Sequence, residues 1–309
     1  MYRYILKRLA MLIPVLIGVL LIIFILSEIT PGDAARQLAG EFASEEDVEA
    51  IREQLGLNKP FLERFGRYVW GLITRLDLGT SYQTSQPVSS EIFARFPTTL
   101  LLALVSMLFA VGLGIPAGII SATRQYSLID NISMVTALLG VSMPNFWQGL
   151  MNIIVFSIWL KWLPASGFYG WQYWILPALT IGTSSAALLT RMTRSSMLEV
   201  IRQDYIRTAR ANGLSEGRVI LRHTLKNALI PVITIIGLQM RNIVAGAVVI
   251  ENIFNIPGVG QMLLNGIMQR DYFMAMACVL VISAMTIFCN LFVDLAYGFI
   301  DPRVRKSMR

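Results

Sequence analysis

The sequence predicts an all-α membrane protein with six transmembrane helices, and three observations lead to this prediction. Only 15% of the 309 residues are charged and 55% are hydrophobic, whereas roughly a quarter of the residues of a soluble domain are charged. The apolar residues form long runs, and a helix that crosses a bilayer needs about 20 of them. The basic residues cluster beside these runs, which is the distribution that sets membrane orientation.

Six apolar runs predict the six spans. Each span must be helical, because a helix satisfies its own backbone hydrogen bonds where water is absent. The first run follows Arg3, Lys7 and Arg8, but it is longer than a signal-peptide core and no A-x-A cleavage site follows it, so we interpret it as a retained span. In chain order the runs are Leu9–Ile29, Thr98–Ala122, Ile132–Leu160, Trp174–Leu189, Ala228–Ile250 and Met274–Tyr297.

The basic residues predict that both termini are cytoplasmic. Lysine and arginine concentrate before the first span, after the last span, and between the fourth and fifth spans, and the positive-inside rule places all three regions in the cytoplasm. The segment between the first two spans carries mainly acidic residues from Glu41 to Glu53 and is predicted to be extracytoplasmic. The basic residues between the fourth and fifth spans are Arg191, Arg194, Arg202, Arg207, Arg210, Arg218, Arg222 and Lys226.

The extracytoplasmic segment is predicted to form a small helical cap. Residues 44–47 have the pattern of a capping box and precede apolar residues at helical spacing. A third short helix is predicted over Val88–Arg95, ended by Pro97. Two amphipathic helices lying on the membrane surface are the alternative. The second apolar stripe of the cap comprises Leu62, Phe65, Val69, Leu72, Ile73 and Leu76.

Four parts make up the predicted organisation. Residues 1–30 hold the N-terminal tail and the first span, 31–96 the extracytoplasmic insertion, 97–300 a core of five helices, and 301–309 a cytoplasmic tail. The core includes a cytoplasmic loop over residues 191–227.

The motifs expected of an enzyme are missing from the sequence. No G-x-x-x-x-G-K-[ST] loop is present to bind nucleotide phosphates. His223 is the only histidine, which excludes an HExxH site, and a Ser-His-Asp centre is not indicated without a G-x-S-x-G segment. Basic and aromatic residues are not interleaved as nucleic-acid binding requires. We predict no catalytic residue, no metal and no cofactor bound by this chain.

The cytoplasmic loop has the pattern of a docking element. Asp204–Ala211 is predicted to be a short polar helix, and Asn212 with Gly213 ends it in a left-handed turn. A second amphipathic helix then continues into the fifth span. Such a unit offers a rigid surface to a partner protein, whereas the alternative from the residues alone is a solvated basic loop.

Segments along the whole chain, in order, resemble a known family. They are Pro31–Asp33, Leu57–Pro60, Asp77–Ser81, Gly140–Trp147, Thr193–Glu199, Gln203–Gly213, His223–Pro231, Val249–Gly260, Gln269–Tyr272, Val293–Tyr297 and Asp301–Arg303. Together they are similar to permeases of binding-protein-dependent ABC importers, in particular the first permease subunit of the dipeptide, oligopeptide and nickel family. No single segment is specific, but the set is.

The resemblance implies a type I ABC importer permease fold and half of a translocation pathway for di- or oligopeptides. It implies a second homologous permease, two cytoplasmic ATPase subunits that bind ATP and Mg, and an extracytoplasmic binding protein, in a bacterial or archaeal cytoplasmic membrane. The residues that it implies in coupling to the ATPase are Asp204, Tyr205, Arg207, Thr208, Ala209, Arg210, Ala211, Gly213, His223 and Asn227.

Residues at two places inside the spans are predicted to line the translocation pathway. Met143, Pro144 and Asn145 interrupt the third span, where a free carbonyl could face a water-filled cavity, although a packed kink explains them equally. Arg241 lies near the middle of the fifth span, where a charge costs at least about 2.5 kcal/mol unless it faces a cavity or a partner. We predict that Arg241 meets a substrate carboxylate. The alternatives are a structural ion pair, with Glu28 or the partner subunit, or a span that begins later.

Two other functions stay open at this point. A nickel–chelate importer would use the same machinery, but the chain lacks the thiolates and imidazoles that a bare metal ion would need, so peptides are preferred. A stand-alone channel or secondary transporter predicts inverted repeats with matching broken helices, and none is visible in the sequence.

Overall fold

The computed structural model describes residues 2–29, 34–40 and 42–300, and every regular segment among them is helical. The predicted tail 301–309 and the segment Pro31–Asp33 lie outside the described residues. The all-α prediction is confirmed for the part of the chain that is described. The elements are α1 Tyr2–Ile29, α2 Ala34–Ala39, α3 Glu45–Gln54, α4 Phe61–Arg75, α5 Val88–Thr123, α6 Leu128–Ser142, α7 Asn145–Asn152, the π-helical segment π1 Ile153–Trp159, α8 Gln172–Ile201, α9 Asp204–Ala211, α10 Glu216–Arg218, the π-helical segment π2 Val219–Thr224, α11 Leu225–Ile253, α12 Val259–Met268 and α13 Tyr272–Ile300.

Five helical stretches in the described ranges are long and apolar enough to cross a membrane: Ala10–Ile29, α5, α8, the run Glu216–Ile253 and Tyr272–Val293. The third predicted span is divided instead of forming one long helix. Helix α6 ends at Ser142, Met143 is extended with φ −81° and ψ 127°, and α7 then continues into π1. The cause is Pro144, which disfavours a helical conformation of the residue before it.

Three differences from the predicted helices have physical causes. The short helix over Val88–Arg95 does not end at Pro97, because α5 is continuous. A proline removes one intrahelical hydrogen bond, and the burial of Val88 and Ile92 in a hydrophobic core holds the helix on its N-terminal side. Helix α8 continues to Ile201, so that it covers the first part of the predicted loop. Helix α12 was not predicted, since its glycines weaken the helical signal.

The chain forms two compact units. Unit 1 contains the described residues of Met1–Tyr4, Leu100–Ile256 and the described residues from Phe288 onward, and unit 2 contains the described residues of Ile5–Thr99 with Pro257–Ile287. The predicted division of the chain at residues 30, 96 and 300 concerns membrane topology and stays a prediction.

Unit 2 confirms the predicted capping box and corrects the second apolar stripe. The Ser44 hydroxyl accepts a hydrogen bond from the Asp47 amide at 3.2 Å, and the Ser44 amide donates to the Asp47 carboxylate at 3.3 Å. The buried face of α4 is rotated from the predicted one. It presents Phe61, Phe65, Tyr68 and Leu72 to the core, whereas Leu62, Ile73 and Leu76 are 77%, 61% and 79% exposed.

In unit 1, small residues let the backbones of α5 and α8 touch. A Cβ atom added at Gly114 would lie 2.7 Å from the Ala186 carbonyl oxygen. At Gly118 it would lie 2.7 Å from the Thr190 carbonyl oxygen and 2.5 Å from Thr193 Cβ. Glycines four residues apart are typical of close contacts between membrane helices.

We expect Gly118→Val to destabilise the folded chain by about 3 kcal/mol or more, because the fixed backbone of α8 cannot make room for the new side chain. Gly112 lies on the same helix and has no atom within 4 Å of an added Cβ, so Gly112→Val is the matched control. Thermal unfolding of both variants in detergent tests this. Equal melting temperatures would contradict the close contact.

Candidate functional site

Helix α9 lies where the sequence places the docking helix and has the predicted end. It runs from Asp204 to Ala211, and Gly213 has a left-handed φ of +77°. The Gly213 amide donates to the Arg210 carbonyl at 2.9 Å, and the Leu214 amide donates to the Ala209 carbonyl at 3.4 Å. These two bonds form a Schellman motif, which satisfies the last carbonyls of the helix. The predicted helix and its stop are confirmed.

One face of α9 packs on other residues of unit 1, and the opposite face is open. Ile206 and Ala209 are buried together with Val219 of π2, and Val200 and Leu214 pack against them. A helix of eight residues is marginal on its own, so this small apolar cluster holds it in place. The open face carries the exposed side chains of Asp204, Tyr205, Arg207 and Thr208.

Two polar contacts fix α9 further. The side-chain amide of Asn227, on α11, donates to the Tyr205 hydroxyl at 3.0 Å and to the His223 carbonyl at 3.1 Å. The Arg210 guanidinium forms an ion pair with Glu216 at 2.6 Å. Helix α9 is thereby tied to α10 and to the start of α11. It forms a rigid projection rather than a solvated loop.

The structure brings the predicted coupling residues together in one region, but the side chains of two of them are not exposed. Ala209 is buried in the apolar cluster that anchors α9, so its side chain supports the helix from inside. His223 is half-buried in π2. The role of all ten predicted residues in coupling stays a prediction. Exposed in this region are Asp204, Tyr205, Arg207, Thr208, Arg210, Ala211, Gly213 and Asn227.

A buried ion pair that the sequence did not reveal lies at the start of α6. The Asp130 side chain is 2% exposed and that of Arg194, on α8, is 22% exposed. The Arg194 Nε and Nη2 atoms each donate to one Asp130 oxygen at 2.7 Å. The Ser121 hydroxyl and the Tyr126 amide donate to the same carboxylate.

These donors hold the pKa of the Asp130 carboxyl well below its usual range. The hydrogen bonds from Arg194 have the largest effect, and they outweigh the opposite effect of burial. The pair joins residues that are 64 positions apart. The sequence offers one indication of this pair, an acidic residue and a basic residue at the ends of two apolar runs. That pattern does not identify which acidic residue pairs with which basic residue. The pair anchors α6 to α8.

The predicted break in the third span lies beside α11. Met143 and Asn145 are half-buried, and Pro144 is exposed. The Asn145 side-chain nitrogen lies 3.5 Å from the position of a Cβ atom added at Gly246 of α11. The pathway role of these three residues stays a prediction.

Polar side chains inside the spans form contacts that were not predicted. The Asn152 side-chain amide donates to the Thr180 hydroxyl at 2.9 Å. The Gln239 side-chain amide donates to the Ser185 hydroxyl at 3.0 Å, and its oxygen accepts from Asn242 at 2.8 Å. The presence of polar residues within apolar runs was the sequence pattern from which these hydrogen bonds could have been predicted. They join α7 and α11 to α8.

Arg241 lies on the face of α11 opposite to this contact. Gln239 is 8% exposed and faces α8, and two residues further along a helix turn the side chain by about 200°. Arg241 is exposed accordingly. Glu28, which the sequence offered as a structural partner for Arg241, pairs instead with Arg64.

Comparison with known proteins identifies the family. Residues 114–306 match the model for the binding-protein-dependent transport system inner membrane component, and residues 1–103 match the model for its N-terminal part. The dipeptide transport system permease protein DppB of Alkalihalophilus pseudofirmus is 42% identical over 99% of this chain and 100% of its own length. The glutathione transport system permease protein GsiC of Escherichia coli is 43% identical over 99% of both chains.

Solved structures of two ABC transporters share the fold. The MetNI methionine ABC transporter in an inward-facing conformation matches with a TM-score of 0.59 at 16% identity, over 71% of this chain and 100% of that chain. An amino acid ABC transporter solved with histidines matches with a TM-score of 0.51 at 12% identity, over 68% of this chain and 94% of that chain. The fold is therefore that of a type I importer permease, and the chain belongs to the binding-protein-dependent ABC importer permeases, within their peptide and nickel family.

Proposed function

We propose that this chain forms half of the transmembrane pathway of an ATP-driven importer of di- or oligopeptides. The observation that carries the proposal is the full-length similarity to permeases named for dipeptide and glutathione transport. Both substrates are short peptides. An import system for a chelated nickel ion remains the second candidate, because the family includes such permeases.

Helix α9 is the element that we assign to ATPase docking. Its open face carries Asp204, Arg207 and Thr208 within two turns, and its other face is fixed to unit 1. ATP-driven movement of a docked ATPase would displace α9 together with α10 and α11, because Arg210 pairs with Glu216 of α10 and Tyr205 accepts a hydrogen bond from Asn227 of α11. ATP on the cytoplasmic side and the binding protein on the extracytoplasmic side would then shift the same equilibrium between two conformations of the permease.

The proposed assembly holds a second permease, two ATPase subunits and a binding protein, with both termini of this chain in the cytoplasm. ATP and Mg would bind to the ATPases, and this chain would carry no cofactor and no catalytic residue. An apolar face of α6 suits a lipid or helical neighbour, since its residues are each at least half exposed: Ile132, Val135, Leu138 and Leu139.

Arg241 is the residue that we assign to the pathway. It is exposed on α11, within a helix apolar enough to cross the membrane. A charge in that position is stable only where it meets water or a partner. A peptide supplies a terminal carboxylate that suits a guanidinium, and pairs of this kind are often bidentate. The break at Met143, Pro144 and Asn145 would line the same route.

Reconstitution in lipid vesicles tests the assignment. The chain would be assembled with the permease, ATPase and binding-protein subunits encoded beside it, and ATP hydrolysis would be measured with dipeptides, oligopeptides or nickel with small chelators. We expect stimulation by peptides. Stimulation only by the nickel complex would overturn the substrate, failure to assemble with any ATPase would overturn the importer role, and uptake without ATP would indicate a channel or secondary transporter.

A pair of loop variants tests the docking helix in the same assay. Gly213→Asp introduces a side chain at a left-handed φ of +77°, which costs about 1–2 kcal/mol and loosens the end of α9. Gly217→Asp adds the same charge in the same loop, with open space around its Cβ and no left-handed φ. We expect Gly213→Asp to lower the peptide-stimulated rate several-fold and Gly217→Asp to leave it within two-fold of the wild type. Equal rates for the two would contradict the role of the turn.

A further inference from the structure

Helix α4 carries a second apolar surface besides the one that it buries in the core of unit 2. We name this surface the outer stripe. Trp70 is 70% exposed, and Leu62 and Ile73 are also mostly exposed, whereas Val69 is half-buried. A contiguous apolar patch on a protein surface is typically covered by a partner or by a membrane. The outer stripe consists of Leu62, Val69, Trp70 and Ile73.

The circumference of α4 divides into three sectors. Successive residues of an α-helix are turned by about 100°, so Leu62, Val69 and Ile73 lie about 90° to one side of the residues that face the core. The remaining side is polar and carries the exposed ion pair of Arg67 with Glu63, at 2.7 Å. A helix seated at a membrane interface has this arrangement, with one sector toward the protein, one toward lipid and one toward water.

Contacts with α1 place α4 at the level where the first candidate span ends. The Phe24 ring packs edge-on against the rings of Phe61 and Phe65, with centroids 5.3 Å and 5.5 Å apart. Phe24 lies inside the candidate span Ala10–Ile29, and a rise of about 8 Å along the helix separates it from Ile29. Helix α4 therefore lies within about two helical turns of the boundary between hydrocarbon and headgroups.

The contacts of the same two helices determine which side of α4 faces the membrane. Glu28 lies one turn beyond Phe24 on α1, farther from the centre of the span, and it pairs with Arg64. The contact on α4 thus moves from Phe65 to Arg64 as α1 leaves the membrane. Arg64 lies between the core face and the polar sector, on the side opposite to the outer stripe. The polar sector therefore points away from the bilayer, and the outer stripe points back toward it.

The side chains of the outer stripe fit a lipid surface. Trp70 has an apolar ring and a polar N–H group, and tryptophan is enriched where membranes meet water for this reason. Helix α3 differs, because its exposed side carries acidic residues that suit water. In the last turns of α1, Ile22 and Ile29 are exposed as well. A bilayer around α1 can therefore cover the apolar surfaces of both helices at once.

We propose that the outer stripe of α4 inserts into the headgroup–acyl boundary of the leaflet in which α1 ends. The partner of this surface is the lipid bilayer itself, and an interfacial helix of this type penetrates by about 5–10 Å. The ring contacts of Phe24 and the pair of Arg64 with Glu28 hold α4 at that depth. Helix α4 thereby fixes the segment between α1 and α5 at the membrane surface, whatever substrate the importer carries.

Neighbouring residues of α4 provide a matched test on the full chain in nanodiscs. The native thiols are removed by Cys278→Ala and Cys289→Ala, and single cysteines are then introduced and labelled with the fluorophore NBD. Ile73→Cys places the label on the outer stripe, and Thr74→Cys places it on the polar side. Both positions are exposed, so the label does not disturb the core. Quenching by brominated phosphatidylcholine measures contact with lipid, and quenching by iodide measures contact with water.

The two quenchers distinguish lipid, water and protein as the surroundings of the outer stripe. We expect brominated lipid to quench the label at Ile73 about three-fold more strongly than the label at Thr74, and iodide to show the opposite order. Leu62→Cys and Glu63→Cys should repeat this pattern at the other end of α4. Stronger quenching by iodide at Ile73 would show that the stripe faces water, and quenching by neither agent would show that protein covers it. Either result would refute the proposal, and neither depends on assembly of the importer.

Discussion

Replacing Asp130 by asparagine is expected to lower the free energy of unfolding by about 3 kcal/mol and to abolish transport. The change removes the charge that compensates Arg194, whose side chain is only 22% exposed, and losing one partner of a buried pair typically costs about 3–5 kcal/mol. The anchor of α6 on α8 would loosen. Thermal unfolding in detergent measures the first effect, and peptide uptake by the reconstituted complex measures the second.

Glu216→Gln is the matched control for Asp130→Asn. It removes the acid of the Arg210 pair, whose side chains are 38% and 60% exposed, and an exposed pair contributes about 0–1 kcal/mol. The pKa of the Asp130 carboxyl is depressed in the folded state, so its contribution is present above the unfolded pKa and is lost only as pH falls through the folded one. Unfolding between pH 7 and pH 5 should therefore show no loss from this group. An Asp130→Asn variant as stable as the control would contradict the importance of the pair.

Replacing Ile206 by aspartate is expected to uncouple the ATPase from transport. Ile206 is fully buried at the centre of the cluster that attaches α9 to unit 1. A carboxylate there cannot remain both charged and buried without a partner, so α9 would detach while the membrane helices stay folded. Peptide-stimulated ATP hydrolysis should fall at least ten-fold, whereas the melting temperature of the chain should change little.

Ile206→Val keeps an apolar side chain and removes one methylene, which costs about 1 kcal/mol in a core. It should retain most of the stimulated hydrolysis. Co-purification with the ATPase separates two causes of failure in Ile206→Asp, because a detached α9 should also weaken assembly. Full coupling in Ile206→Asp would show that the ATPase docks on some other surface of this chain.

Local signals made the helices of the polar segments predictable. The capping box at Ser44 and Asp47 and the turn at Gly213 specify helix ends within a few residues, so α3 and α9 follow from the sequence. Helix α12 was missed because its two glycines weaken the local helical signal, and the helix is stabilised instead by burial of Val259 and Met262, which is a tertiary effect. Helix α5 continues through Pro97 for a similar reason, because burial of Val88 and Ile92 in the core stabilises its first turns.

The position of helix α9 was predictable from the sequence, but the contacts that hold it in place were not. Polar residues followed by a glycine indicate the exposed face of α9, whereas the attachment of α9 depends on Asn227 and Val219, which belong to other elements. The pair of Asp130 and Arg194 is set by the approach of two helices far apart in sequence. Neither hydrophobic periodicity nor charge patterning carries that information.

The backbone contact of α5 with α8 has a mechanical consequence. Helices that touch at Gly114 and Gly118 cannot slide or rotate past one another without losing the contact, so the pair has low compliance. Two residues separate the end of α8 at Ile201 from the start of α9 at Asp204, so in the proposed importer α8 is a second connection, besides α11, between a docked ATPase and the helix pair.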